Sequence, residues 1–203
     1  FRAHHGFGQR PLLLSVGRLT QRKGLVDFVM KALPTVAASY PDVLLVVIGD
    51  EASDALHARA GSERERILDA ARMGGVEKNL RFLGRCDDST VSGAYQAADV
   101  RVFPVLELPG DVEGFGMGAL ESAAHGLPTV AFAVGGVPDA VLDGYTGTLV
   151  EPGNYTALGE AVVRQLACAR ESATIAACRA FATGKAWSVF GERLRNLLDS
   201  CHV

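Results

Sequence analysis

Two carboxylates and a run of glycines carry the chemistry that this sequence most readily suggests. Glu113 and Glu121 stand eight positions apart, and Gly114, Gly116 and Gly118 fall between them. The stretch reads as a loop feeding directly into a helix that continues through Ser122-Ala123-Ala124. Glycines let the backbone approach a ligand closely, and a helix start offers unpaired N–H groups and the positive end of a dipole, which suits a phosphate. If the segment were helical throughout, eight residues would rise about 12 Å, so the two carboxylates could grip different parts of one elongated ligand. The plainer alternative is a Gly-rich helix start with two solvated glutamates. A second cluster, Arg18 and Lys23, lies in a loop bounded by Gly17 and Gly24. A guanidinium fork and an ammonium point charge together could neutralise a pyrophosphate; the alternative is a solvated basic loop.

The elements that must position these groups alternate along the chain. Pro11–Val16, Val43–Ile48, Leu80–Gly84, Val100–Phe103, Thr129–Phe132 and Gly147–Val150 read as short strands. The first two are apolar without alternation, which points to a sheet covered on both faces. Between them a helix is expected from Leu25 to about Ser39, with Pro34 kinking or ending it. Another is expected from Ser53 to about Met73, broken near Gly61-Ser62, with Ser62 and Glu65 as a capping box. Asp87 or Asp88 should cap a helix through Ala97-Ala98, and Asn154 or Thr156 one reaching about Ala169. Two further helices follow, the last carrying Trp187, Phe190, Leu194, Leu197 and Leu198. Strand–helix alternation predicts an α/β fold, one doubly wound parallel sheet in a single domain. In such sheets ligands bind beyond the carboxyl ends of the strands, and the loops after strands one, three and four all leave such ends.

Composition excludes other classes. The 203 residues suffice for a sizeable core, with 48% hydrophobic and 21% charged residues. A net charge of −3 gives no reason to expect nucleic acid or an anionic membrane surface, and no apolar run reaches the roughly 18 residues of a membrane span. The chain opens Phe1-Arg2-Ala3-His4-His5, with no apolar leader and no initiator Met, so a fragment is expected. Cys86, Cys168, Cys178 and Cys201 show neither CxxC pairing nor a dense framework. They read as reduced thiols, and a cytoplasmic location is expected.

Taken in order, the motifs resemble the C-terminal, nucleotide-sugar-binding half of a GT-B glycosyltransferase of the retaining family GT4. They are Val16-Gly17-Arg18-Leu19 with Lys23-Gly24, Val46–Asp50, Leu80–Gly84, Tyr95–Val100, Glu113–Gly116 through Glu121, Gly126–Ala131, Gly135–Pro138 and Asp143–Gly147. Each is weak alone; their order and spacing across nearly the whole chain are specific. The resemblance implies that Arg18 and Lys23 hold the donor diphosphate, after Gly17, and stabilise leaving-group charge. It implies that Glu113 bonds the donor sugar's hydroxyls, and that Gly114, Phe115, Gly116, Met117 and Gly118 present backbone to sugar and phosphate. Glu121 would bind the ribose, and Gly84 and Arg85 would border the base. It further implies a UDP- or GDP-sugar as donor, retention of configuration, and no cofactor or metal; the sequence has no Asp-x-Asp motif.

Departures matter as well. Family members often have Pro-Ser after strand four, where this chain has Pro104-Val105. The N-terminal, acceptor-binding domain of a GT-B enzyme is absent, so the isolated chain is expected to bind donor but transfer little or nothing. The last helix, about 187–199, is expected to pack toward that missing domain, and any membrane-surface association is assigned to the missing half. His125 is expected to cap or pack, Asp87-Asp88 to cap a helix rather than bind metal, and Cys168 and Cys178 to be core or inert. Trp187 with Phe190 is expected to anchor packing. The competing readings are a GT-B nucleotide-sugar epimerase and a non-catalytic nucleotide-binding module. A dinucleotide-binding Rossmann domain would want Gly-x-Gly-x-x-Gly after strand one, where Gly17–Arg22 stands instead.

Overall fold

Six short strands build one parallel sheet in the computed structural model, which describes residues 1–52, 61–168 and 170–200. They are β1 Leu12–Val16, β2 Leu44–Ile48, β3 Leu80–Gly84, β4 Val100–Phe103, β5 Thr129–Phe132 and β6 Gly147–Val150, in the order β3-β2-β1-β4-β5-β6. All five residues of β2 and all four of β4 are buried, as unalternated apolar runs require. Successive residues face opposite layers. Leu13, Leu45 and Val47 meet one core with Phe28, Leu33 and Leu158, while Leu12, Leu14 and Val46 meet another with Tyr95 and Leu127. A third cluster joins Phe103 and Val105 to Ala119 and Val137.

The first helical layer is less regular than expected. Helix α1, Leu25–Asp27, runs through a π turn, Phe28–Ala32, into α2, Leu33–Ser39. There the Leu33 N–H reaches back to the Phe28 carbonyl. Pro34 supplies the physical reason: it has no N–H, and its ring collides with the carbonyl four residues back in a regular helix, so the chain widens by one residue before it. Helix α3, Glu63–Met73, is capped by Ser62 as expected, its Oγ accepting from the Glu65 N–H at 3.1 Å. Glu51 adds a second cap, accepting from Ser62 Oγ at 2.6 Å and the Arg64 N–H at 2.9 Å. Residues 53–60 of the longer expected helix lie outside the described residues.

Asp87 caps α4, Asp88–Ala97, through the Thr90 N–H at 2.8 Å. Helices α5, Met117–Ala124, and α6, Val137–Ala140, follow β4 and β5. Asn154 caps α7, Tyr155–Cys168, through the Ala157 N–H at 3.0 Å. Helix α8, Ser172–Thr183, packs on α5, and Cys178 within it is buried, with burial pushing its thiol pKa up to about 11.

The last helix, α9, Trp187–Ser200, corrects one expectation. None of its residues is buried, and Trp187 and Phe190 are 78% and 55% exposed. Their edge-to-face contact at 5.9 Å is with each other, so in this chain they do not anchor packing. Among the described residues no helix is long and apolar enough to cross a membrane.

The sheet order contains one reversal. From β1 the chain steps outward through β2 and β3, then returns to place β4 on the other side of β1. β1 and β4 lie side by side and parallel at this reversal, the place where ligands bind beyond the carboxyl ends in such folds.

Candidate donor site at the strand reversal

The loop after β1 is tied down before it presents side chains. The Gly17 N–H donates to the Ile48 carbonyl at 3.0 Å and the Leu19 N–H to the Asp50 carbonyl at 2.8 Å. A single 3₁₀ turn, Gln21–Lys23, then ends on Gly24, whose φ of +67° lies in the left-handed region. Gly24 also packs so tightly on the loop after β4 that a Cβ there would overlap the Pro104 carbonyl oxygen. A hydrogen bond from the Leu106 N–H to the Arg22 carbonyl at 2.8 Å adds a second stitch between the loops.

This stitching delivers both cations of the turn to one carboxylate. Glu113 Oε2 accepts from Arg22 at 2.6 Å and from Lys23 Nζ at 3.1 Å, and Arg22 Nε pairs with Asp111 at 2.8 Å. The Lys23 ammonium lies 5.2 Å from the centre of the Phe103 ring. Burial raises the Glu113 pKa, but the Arg22 hydrogen bond and the Lys23 charge outweigh it and hold the carboxyl below its usual 4.5. Lys23 shifts down from 10.5, because burial, with Arg22 and Arg101 nearby, outweighs the attraction of Glu113.

A folded pKa below the unfolded one means that Glu113 stabilises the fold above pH 4.5 and ceases to as pH falls through the lowered value. Glu113→Gln is therefore expected to unfold earlier than wild type at pH 7, with the gap between thermal midpoints closing as the pH falls below 4.5. A gap that stays constant as the pH is lowered below 4.5 would show that the Glu113 charge does not stabilise the fold.

After Glu113 the backbone turns under cover of the loop after β5, where the Gly136 N–H donates to the Glu113 carbonyl at 2.8 Å. Gly116, at φ +86°, swings the chain into α5. The helix starts at Met117, so only its first turn separates the glycine loop from Glu121, and the long helical rise considered from the sequence does not occur. Glu121 sits exposed on α5, with Oε2 accepting from the Tyr95 hydroxyl at 3.2 Å. A groove of about 660 Å³ opens beside it, lined by Phe115, Met117 and Leu120 and, across from them, Trp187 and Phe190.

A family model described as "Glycosyl transferases group 1" matches residues 1–177. The chain belongs to that family. Among similar proteins, a GDP-mannose-dependent monoacylated alpha-(1-6)-phosphatidylinositol monomannoside mannosyltransferase of Corynebacterium glutamicum is 33% identical over 194 residues, 94% of this chain and 47% of that protein. A GDP-mannose-dependent alpha-(1-6)-phosphatidylinositol monomannoside mannosyltransferase of Mycolicibacterium smegmatis is 33% identical over 202 residues, 98% of this chain and 50% of that one. Among solved structures, a sucrose-phosphate synthase of Thermosynechococcus elongatus superposes with a TM-score of 0.76 at 29% identity, over 98% of this chain and 48% of that one. Anabaena HepE in complex with UDP shares the fold, with a TM-score of 0.78 at 23% identity, over 98% and 51% of the two chains. The chain thus spans about half the length of the relatives it matches, and its Rossmann-like sheet is that of one half of a GT-B glycosyltransferase.

On this group 1 glycosyltransferase fold the residues singled out from sequence fall into three places. Lys23 and Glu113 meet directly. Gly114, Phe115, Gly116 and Met117 form the turn into α5, but Gly118 faces inward, its carbonyl accepting from buried Arg101 at 2.8 Å. Gly17 borders Lys23, while Arg18 is exposed on the same loop. Gly84 ends β3 and accepts from the Gly49 N–H at 2.8 Å, with exposed Arg85 beyond it. His125 packs as expected, stacking on Tyr95 at 5.0 Å with Nδ1 2.8 Å from the Glu121 carbonyl. Three residues at this site had been given no role there: Arg22, Arg101 and Tyr95, the last standing in the Tyr95–Val100 motif. Arg101 had a signal, a lone charge in the four-residue apolar strand Val100–Phe103.

Proposed function

We propose that this chain is the donor-binding domain of a retaining hexosyltransferase that moves a sugar from a nucleoside diphosphate sugar to an acceptor bound by a second domain. The observation that carries the reading is the meeting of Lys23 and Glu113, from loops on either side of the strand reversal, beside the glycine turn that opens α5. Cleaving a sugar–phosphate bond leaves charge on the departing diphosphate, and fixed cations with helix-start N–H groups stabilise that charge best where water is excluded. Lys23 and Arg18 take the diphosphate, with Gly17 allowing its approach. Glu113 accepts from the sugar's hydroxyls near the reacting carbon and favours the positive charge developing there. The turn Gly114–Gly118 presents backbone to sugar and phosphate, Glu121 accepts from the ribose, and Gly84 and Arg85 border the base.

Because the chain's own cations serve the leaving group, the reaction takes no metal. The GDP-mannose dependence of two relatives and the UDP bound to HepE make both nucleotides candidates. The exposed face of α9 packs against the acceptor domain, through which any membrane contact would come, and the work is cytoplasmic. Alone, the chain binds donor without transferring.

Calorimetric titration with UDP, GDP and ADP in the presence of EDTA tests this, beside Arg18→Ala and Glu121→Ala. One nucleotide is expected to bind the wild-type chain, with affinity reduced about tenfold or more in each variant. A folded wild-type chain that binds none of them would refute the assignment, and robust sugar transfer by the isolated chain would refute the division of labour.

A further inference from the structure

Arg101 is 1% exposed at the centre of β4, and burying a guanidinium without a compensating charge is costly. Among the described residues its hydrogen bonds go to neutral groups. Nη1 donates to the Tyr95 hydroxyl at 2.7 Å and to the Gly118 carbonyl at 2.8 Å, and Nη2 to the Val16 carbonyl at 3.3 Å. Nε has no partner. Arg101 therefore ties the end of β1, the first turn of α5 and α4 into one cluster around the crevice.

The compensating charge arrives through the phenol. Tyr95 is 3% exposed, accepts from Arg101 and donates to Glu121 Oε2 at 3.2 Å. A hydroxyl that accepts from a cation donates more strongly to an anion, so the three groups form a cation–phenol–carboxylate relay from the core to the surface. Stacking of His125 on the Tyr95 ring holds the phenol from the other side. Tyr95 engages only the Oε2 oxygen of Glu121, an exposed residue. At Gly118 the fit leaves no slack, because a Cβ there would overlap the Arg101 guanidinium.

We propose that Tyr95, anchored by Arg101, is the positioning residue that fixes the Glu121 carboxylate so that its other oxygen takes a vicinal hydroxyl of the donor's ribose. This rests on the donor-site reading given above. A solvated glutamate on a helix samples several rotamers, and a hydrogen bond from a buried phenol removes most of that freedom before ligand arrives. The relay thus selects for ribose, not for phosphate or base.

The test compares UDP and GDP with their 2′-deoxy and 3′-deoxy forms on wild type, Tyr95→Phe, Glu121→Gln and Arg101→Lys. Phenylalanine keeps the ring, its burial and its stack on His125 while removing the hydroxyl, so Tyr95→Phe should fold; Arg101→Lys reports on the anchor if that variant folds. Wild type is expected to prefer one ribose form of the bound nucleotide over its deoxy form by about tenfold. In Tyr95→Phe the preference is expected to shrink to within about twofold, while affinity for the deoxy form stays unchanged. Equal weakening of ribose and deoxy forms in Tyr95→Phe would mean that the residue only packs, and an undiminished preference would mean that Glu121 needs no positioning; either overturns the proposal. Nucleotide binding that is indifferent to Glu121→Gln would instead overturn the ribose role of Glu121 itself, and no nucleotide binding by wild type would overturn the donor site, each taking the relay with it.

Discussion

Replacing Glu113 by glutamine is expected to separate two functions that the intact site combines. In the free protein the Glu113 carboxylate neutralises Arg22 and Lys23, so an incoming diphosphate competes with it for those cations. Glutamine keeps the shape and removes the charge. Free nucleoside diphosphate is then expected to bind as tightly as to wild type or up to about tenfold more tightly, since one nearby negative charge is worth on the order of 1 kcal/mol in a partly solvated cleft. The nucleotide sugar is expected to lose whatever advantage it has over the bare nucleotide, because the acceptor for the sugar's hydroxyls is weakened. Parallel titrations with UDP and a UDP-sugar, or with the GDP pair, read both effects. A tenfold loss of bare-nucleotide affinity would show that Glu113 shapes the phosphate pocket rather than facing the sugar.

Gly24→Ala is expected to be the most damaging single methyl in the site. The residue has φ +67°, and the added carbon would overlap the Pro104 carbonyl oxygen, a backbone atom that cannot rotate away. Strain at that φ costs about 1 kcal/mol for an alanine, and moving the loop after β4 adds more. A total of about 3 kcal/mol or greater lowers the thermal midpoint by roughly 6–12 °C in a chain of this size. Gly153→Ala is the control, since Gly153 shares the sign of φ, at +81°, but has open space around it. It should lose only the strain and keep its nucleotide affinity, whereas Gly24→Ala should also weaken nucleotide binding by displacing Lys23. Equal midpoints for the two variants would mean that the two loops are not in fact locked at Pro104.

Much of the frame was legible in the sequence because burial on both faces leaves a plain mark. Strands such as Leu44–Ile48 could not be mistaken for amphipathic surface, and Ser62, Asp87 and Asn154 announced helix starts through side chains suited to capping. Pro34 foretold a disturbance but not its form, since a kink, a stop and a widened turn all relieve the same collision. In the site, Lys23 and Glu113 were recognisable as members of one crevice, but their direct pairing was not, and neither was the role of Arg22. Which of two adjacent cations points inward depends on the 3₁₀ turn of Gln21–Lys23, and that turn directs both to Glu113. Arg101 was passed over because a strand was read for its apolar members. A charged side chain inside an apolar strand must find polar partners, and it finds them on three other elements. The aromatic pair on α9 failed in the opposite sense. Apolar spacing shows that a face needs covering, not that this chain supplies the cover.

The strand order also sets when the site can exist during folding. β1, β2 and β3 are neighbours both in sequence and in the sheet, so their half can assemble from pairings of moderate loop length. Lys23 and Glu113 are 90 residues apart, and Arg101 and the Val16 carbonyl it grips are 85 apart. None of these contacts can form until β4 has crossed back to pair with β1, and such non-local closure is slow because its entropy must be spent before any contact rewards it. The crevice where Lys23 meets Glu113 is accordingly a late product of folding, and a nascent chain that has completed β3 has a half-sheet but no such crevice. A ligand that recognises only the finished crevice would leave the early steps untouched and act mainly by slowing its reopening.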